Sequence, residues 1–465
     1  MPSEEASSTQ TATINKEPSL NQGVSNFIRR LHFYIGLFVG PFIFMAALTG
    51  ALYVMTPQLE QWIYHDQLTT TSQGEAQPLV KQIVAARNAL QQPLEIKAVR
   101  PAPAPGETTR VLFRDPSLDH YQVRTLFVDP VTLDIRGNLA SYGTSGILPL
   151  RIALDFMHTD LLLGAVGRNY SELAASWMWV ATLGGLYLWW RQRKTRHNKT
   201  PRKESHKGKR SATNSWAQYR SRHSQVGVWI AIGLLFFSAT GLTWSKWAGS
   251  NIAQWRQAIG WVTPSVSRQL PSSTPHYRYQ DKQFDSVLAS ARAFGLSAGK
   301  VEIVPAYHAG KAWMVHEIDR AWPTQVDAVS IDPISNQVVS HVYFADYPLV
   351  AKLIRWGIDA HMGVLFGLPN QIILALFGLA LCVMIVWGYR MWWIRRPKAG
   401  DMMEPLTGAW LKLSKLGQMV VFIVAAVLGW ALPVMGVSLV AFIAIDALRW
   451  RWYKSAVLAP ARSPQ

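Results

Sequence analysis

Cysteine is nearly absent from this 465-residue chain: Cys382 is the only one. One cysteine excludes an intrachain disulfide, a Cys-rich zinc site, an iron–sulfur cluster and a C-x-x-C-H attachment site, so any haem would be held without thioether bonds. Its place inside an apolar run reads as a small buried hydrophobe. Charge is also scarce, at 16% of residues, where a soluble domain carries about a quarter. G-x-S-x-G, H-E-x-x-H, P-loop and Gly-rich Rossmann patterns are missing, which argues against hydrolase, zinc-protease, nucleotide-hydrolysing and built-in NAD or flavin chemistry.

What the chain does have is apolar sequence in long runs. Hydrophobic residues make up 49%, and many of the 21 Trp sit at the ends of those runs, where amphipathic indoles prefer to lie. A bilayer core takes about 20 apolar residues as helix. Six stretches qualify, near 31–55, 172–190, 225–247, 370–394, 410–430 and 432–449. The first follows some 30 polar residues and is too long for a signal-peptide core, so it reads as a permanent anchor. The net charge is +18. Residues 191–210 hold ten Lys or Arg against one Glu, and such clusters flank apolar runs as cytoplasmic loops do. That placement favours a membrane surface over nucleic acid as the polyanionic partner.

With the N-terminus cytoplasmic, all basic clusters fall on one side. The expected organisation is a mainly α membrane protein: a disordered N-terminus (1–26), a first transmembrane helix (27–56), an outer module (57–150), an apolar His segment with a second helix (151–190) and a basic cytoplasmic loop (191–222). A third helix (223–247), a second outer module (248–350), another His segment with a fourth helix (351–396), two further helices (410–449) and a cytoplasmic tail (450–465) complete it. Each outer module reads as α+β: helical periodicity at 78–90 and 283–296, followed by about four β-rich runs.

An internal repeat underlies this order. An offset of 191 relates His32 to His223, Gly36 to Gly227, Thr49 to Thr240 and Gly50 to Gly241. An offset of 203 relates Asp129 to Asp332, His158 to His361, Gly164 to Gly367, Gly185 to Gly388, and Trp189-Trp190 to Trp392-Trp393. The four-helix core is therefore two tandem repeats, and the last two spans lie outside it.

Of 12 His, eight lie in polar segments and read as solvated or locally bonded imidazoles: His65, His120, His197, His206, His276, His308, His316 and His341. The other four, His32, His158, His223 and His361, edge apolar runs and are the four related by the repeat. A membrane histidine is costly unless it is partnered; the plain alternative is a hydrogen bond to a carbonyl on a neighbouring helix. Sidedness pairs His32 with His223 at the inner face and His158 with His361 at the outer face. Two neutral imidazoles form the axial set of a low-spin haem, so the expectation is haem b, two per chain. Gly36 and Gly227, one turn beyond the inner histidines, leave room for a flat macrocycle. Gly164 and Gly367 end the apolar runs beyond the outer ones. Arg151, Arg168 and Arg355 could meet propionates or lipid phosphate. Zinc or copper is the rival reading, short of the usual three or four ligands.

The sequence H-x-x-x-G…T-G in a first helix, an outer module, then H-x₅-G and a helix ending in W-W before basic residues resembles the PepSY-associated transmembrane proteins. These include iron-regulated membrane proteins and FoxB-type siderophore reductases. The resemblance covers residues 27 to about 396. It implies PepSY-like outer modules and a bacterial inner-membrane oxidoreductase, with His32, His158, His223 and His361 as haem ligands. Such a protein reduces a ferric siderophore or other iron chelate on the periplasmic side, with a separate electron donor, quinol or a cytosolic reductase. Trp313, Trp322, Tyr142 and Tyr343 are candidate chelate contacts, each more simply read as core packing. A non-catalytic PepSY sensor or protease-regulating module is the alternative, and a transporter a third.

Overall fold

The computed structural model describes residues 20–119, 121–197, 212–270, 279–396 and 404–458. Most of the N-terminal segment 1–26, much of the basic loop 191–222, the end of the tail from 459 on, His120, His206 and His276, and the side chain of His197 lie outside the described residues.

Two bodies stack end to end. The helical body begins with α1 (Leu20–Tyr34), a five-residue π-helical stretch (Ile35–Val39) and α2 (Gly40–Tyr53), which together form one long apolar helix. Short helices α3 (Thr56–Ile63) and α4 (His65–Leu68) lead into the sheet body, with α5 (Leu79–Asn88) and strands β1 (Glu95–Arg100), β2 (Thr109–Arg114), β3 (Gln122–Val128) and β4 (Ile135–Tyr142). The chain returns through α6 (Pro149–Asp160), α7 (Gly164–His197), α8 (Ala212–Trp244) and α9 (Trp247–Ala258). It then enters the sheet body again as α10 (Gln283–Phe294), β5 (Val301–Val304), β6 (Trp313–Glu317), β7 (Ala328–Ile331) and β8 (Val338–Val342). Last come α11 (Leu349–His361), α12 (Gly367–Ile394), α13 (Leu406–Leu411), α14 (Lys415–Ala431) and α15 (Pro433–Leu458).

The two outer segments, read from the sequence as α+β modules, are joined in the sheet body. All eight strands form one antiparallel sheet in the order β4-β3-β2-β1-β5-β6-β7-β8. The join is β1 against β5, with Val99 opposite Ile303. Each four-stranded meander alone would leave its first strand as an open edge; pairing the two removes both edges. The core is correspondingly shared, with Ile83, Ile96, Phe113 and Leu126 from one half and Phe284, Ile303, Trp313 and Ile331 from the other. Asp285 of α10 crosses over to cap α5, accepting from the Leu79 and Val80 amides at 2.6 and 3.0 Å, which satisfies two orphan N–H groups at that helix start.

In the helical body, four helices among the described residues are long and apolar enough to cross a membrane: Gln22–Tyr53, Ser215–Trp244, Gly367–Ile394 and Pro433–Ser455. The sequence reading counted six. Helix α14 is apolar but has only 17 residues. Helix α7, at 34 residues, is long enough but less apolar, because it is surrounded: it packs on α1, α2, α6, α8 and α15, and carries the buried Glu172, Ser176 and Thr182. Glu172 faces no lipid; its carboxylate caps α9 through the Trp247 and Ala248 amides. Around α7, the long helix Gln22–Tyr53, α8 and α12 close a four-helix arrangement whose apolar centre includes Ile35, Val39, Trp177, Leu234 and Leu381.

Candidate functional site: two facing histidine pairs

The four repeat-related histidines come together as two pairs at different levels of the helical body. His32 of α1 faces His223 of α8 with ring centroids 6.3 Å apart and planes at 87°. His158 near the end of α6 faces His361 at the end of α11, also at 6.3 Å, with planes at 73°. From His32 to Ala46, which touches His158, is fourteen residues along one helix, a rise of roughly 21 Å.

Each ring is oriented through Nδ1. His32 donates to the Ala181 carbonyl at 2.9 Å and His223 to the Met384 carbonyl at 2.9 Å. His158 donates to the Ala46 carbonyl at 3.0 Å, with Thr49 Oγ1 at 3.2 Å. His361 Nδ1 lies 2.6 Å from Thr240 Oγ1; that hydroxyl donates to the Phe236 carbonyl at 2.9 Å, so it accepts from the imidazole. Fixing the proton on Nδ1 leaves Nε2 of each ring with its lone pair, the arrangement that sets tautomer and basicity in metal-ligating histidines.

The spacing suits one metal per pair. An imidazole nitrogen lies about 1.2 Å from its ring centroid and about 2.0 Å from a bound metal, so two imidazoles on opposite sides of one ion have centroids roughly 6.4 Å apart. Among the described residues no group of three or more His, Cys, Asp or Glu side chains is arranged around a metal position. Each pair therefore offers two ligands, and any further donors must come from what it holds.

The inner pair opens into a cavity of about 850 Å³. Gly36 and Gly227 line it, as do Gly185 and Gly388. A Cβ on Gly36 would meet nothing within 4 Å; on Gly227 it would meet Met384 Sδ at 3.2 Å. A methyl on Gly185 would sit 3.2 Å from His32 Cε1, so this glycine lets α7 run close behind the ring. Arg29, Arg30, Arg191, Arg220 and Arg395 also border the cavity. Gly164 and Gly367 have a different part: they open α7 and α12 with φ of 57° and 58°, a left-handed backbone that glycine adopts without strain, and both face open space.

The outer pair is tied to the sheet body. Arg320, beyond β6, reaches Asp359 of α11 through Nε at 2.6 Å, and Arg355 lies 3.1 Å from the same carboxylate. Asp359 is fully buried and two residues before His361; burial raises its carboxyl above the usual range, against both arginines. On α6, Asp155 is pushed up to about 6, chiefly by burial. Arg168 donates to the Trp244 carbonyl at 2.8 Å. Of the aromatic candidates, Trp313 is fully buried in the sheet core, Tyr142 packs on Phe156 and Tyr343 stacks on Phe294. Trp322 is 57% exposed, beside Trp356 and Phe366.

Sequence reasoning marked Thr49 and Thr240 only as repeat positions and gave Gly185 and Gly388 no role beside the rings. Ala181 and Met384, also 203 apart, escaped notice because they act through carbonyls and their side chains differ. The family model described as the PepSY-associated TM region matches residues 29–395. No curated protein matches the chain.

Proposed function

The chain belongs to the PepSY-associated transmembrane family, and from that premise we propose that it is a dihaem b-type electron-transfer protein of the bacterial inner membrane. Its reaction would be one-electron reduction of a ferric siderophore or similar chelate at the outer face. The observation that carries the reading is the doubled geometry: two histidine pairs, each at the centroid spacing of a bis-imidazole metal centre, with all four Nδ1 atoms engaged. A second support is the cavity of about 850 Å³ at the inner pair, roomy and apolar enough for a flat macrocycle. Haem held this way supplies one-electron chemistry with no open iron position, which favours electron transfer over oxygen binding.

Charge supports the orientation. Residues 57–150 and 248–350 hold 16 Lys or Arg and 17 Asp or Glu, so the remaining residues carry 30 against 11. The surplus lies wholly outside the sheet body, as it should if the sheet faces the periplasm and the inner pair the cytoplasm. At the outer face the relevant chemistry is ligand hardness: oxygen-rich chelators hold Fe(III) tightly and Fe(II) weakly, so one electron, delivered from quinol or a cytosolic reductase, frees the iron.

The deciding experiment is the visible spectrum of the purified full chain in detergent, with a haem assay. Two b-type haems per chain are expected; a colourless protein would return the sensor or protease-regulating reading. Dithionite-reduced protein mixed with ferric hydroxamate, catecholate and citrate chelates should then reoxidise with at least one of them, and no reoxidation with any would remove the reductase assignment.

A further inference from the structure

The cavity at the inner histidine pair carries charge of one sign. Five arginines border it, and its lining among the described residues includes no Asp or Glu. A cytoplasmic bias towards Lys and Arg accounts for basic residues on that face of a membrane. It does not account for their gathering at a largely apolar cavity with no acidic side chain in its described lining. Guanidinium groups around such a hollow favour an anion, above all a carboxylate that accepts two N–H bonds at once.

Two of the five are related by the repeat. The offset of 191 that carries His32 onto His223 also carries Arg29 onto Arg220. Each arginine stands three residues before its histidine, on the same face of the same helix. It lies roughly 4.5 Å along the axis, on the side away from the outer pair. Arg30 has no such counterpart, because the matching position is Ser221. Arg29 donates to Asn26 Oδ1 at 2.9 Å, and the Arg220 guanidinium lies over the Trp216 ring at 4.9 Å; both of these contacts are with neutral groups. Each half therefore offers the cavity the same two groups, an imidazole and a guanidinium one turn beyond it. The ligand that answers this frame has a metal at its centre and two carboxylates along one edge. An anionic lipid would answer the arginines and leave the facing imidazoles unused.

We infer that Arg29 and Arg220 hold the two propionates of the haem bound between His32 and His223, one from each half. The inference rests on the dihaem reading and deepens it: the inner haem sits with its propionate edge toward the basic end of the helical body.

The test isolates the inner site in a His361→Ala background of the full chain in nanodiscs. Apo-protein is titrated with haem and with haem dimethyl ester, whose propionates carry no charge, and binding is read from the Soret band. The parent should prefer the free acid by roughly tenfold or more. Arg29→Gln and Arg220→Gln should each narrow that ratio, and the double variant should bring it close to one. Binding of the ester should be the same throughout, which shows that the site stays folded, and Arg30→Gln should leave the ratio unchanged. A double variant that keeps the parent's ratio would overturn the inference. So would an Arg30→Gln protein that narrows the ratio as far as Arg29→Gln does, because a diffuse positive field would then explain the preference. A parent that binds both forms equally would overturn it too. Should the double variant lose the ester as well, the single variants decide by the same ratio. A parent that binds neither form would instead overturn the dihaem reading itself.

Discussion

The two histidine pairs share one spacing but are built on different supports. The inner pair stands on long membrane helices, each ring braced by a single backbone carbonyl from the helix behind it, Ala181 on α7 and Met384 on α12, and it opens into a large cavity. The outer pair stands on the short helices α6 and α11, braced by α2 and α8 through threonines as well as a carbonyl, and fastened to the sheet through Asp359. The same imidazole geometry is thus reached once by the rigidity of spanning helices and once by a polar network. A backbone carbonyl cannot be mutated away, whereas a hydroxyl or carboxylate can, so the two sites should differ most in how substitution affects them.

On the proposed dihaem reading, exchanging the paired histidines gives the largest effect. His32→Ala or His223→Ala should abolish the inner haem and His158→Ala or His361→Ala the outer one, each leaving one haem per chain by pyridine haemochrome assay. Loss of the same haem from His32→Ala and His158→Ala would dissolve the distinction between the sites. Next is Asp359→Asn. With both arginines deprived of their carboxylate, stability should fall by about 3 kcal/mol, the low end for a broken buried pair because Arg355 is partly exposed. Thermal unfolding followed at the haem band should show the outer haem released first; simultaneous release would mean that the sheet anchors both sites equally.

Smaller and more diagnostic is the threonine pair. His361 relies on Thr240, whereas His158 keeps the Ala46 carbonyl besides Thr49. Thr240→Val should weaken haem retention at the outer site about tenfold, as loss of a ligand's hydrogen-bond partner does, and Thr49→Val distinctly less. Equal losses would show that the Ala46 carbonyl does not brace His158. The smallest effect is at the inner site. A methyl at Gly185 would come within 3.2 Å of His32, and at Gly388 within 3.8 Å of His223. Gly185→Ala should therefore shift the inner haem's low-spin EPR signal, and Gly388→Ala should barely move it.

Much of this was legible in the sequence because duplication writes itself as constant offsets. His32, His158, His223 and His361 announced themselves as pairs, and the strand runs of both halves carried their own alternation, as in EIKAV and KVEIVPAY. The supports of those pairs were hidden for a physical reason. Ala181 and Met384 contribute a carbonyl that every residue has, and Arg320 reaches Asp359 across 39 residues with no periodicity linking them. Helix α7 misled in the same way. Its composition looked merely apolar, while its buried Glu172 caps a neighbouring helix that only the packing brings near.

Hydropathy runs and the distribution of positive charge determined by themselves that this is a membrane protein, and the 191 and 203 offsets singled out the four histidines that pair. Those features depend on local composition and on duplication, both of which a linear chain records. The joining of two modules into one eight-stranded sheet and the facing of imidazoles at 6.3 Å were decided only by tertiary structure. Strand alternation specifies which face is buried and not which strand lies alongside, and a side chain's partners are fixed by distance in space, which sequence separation does not encode.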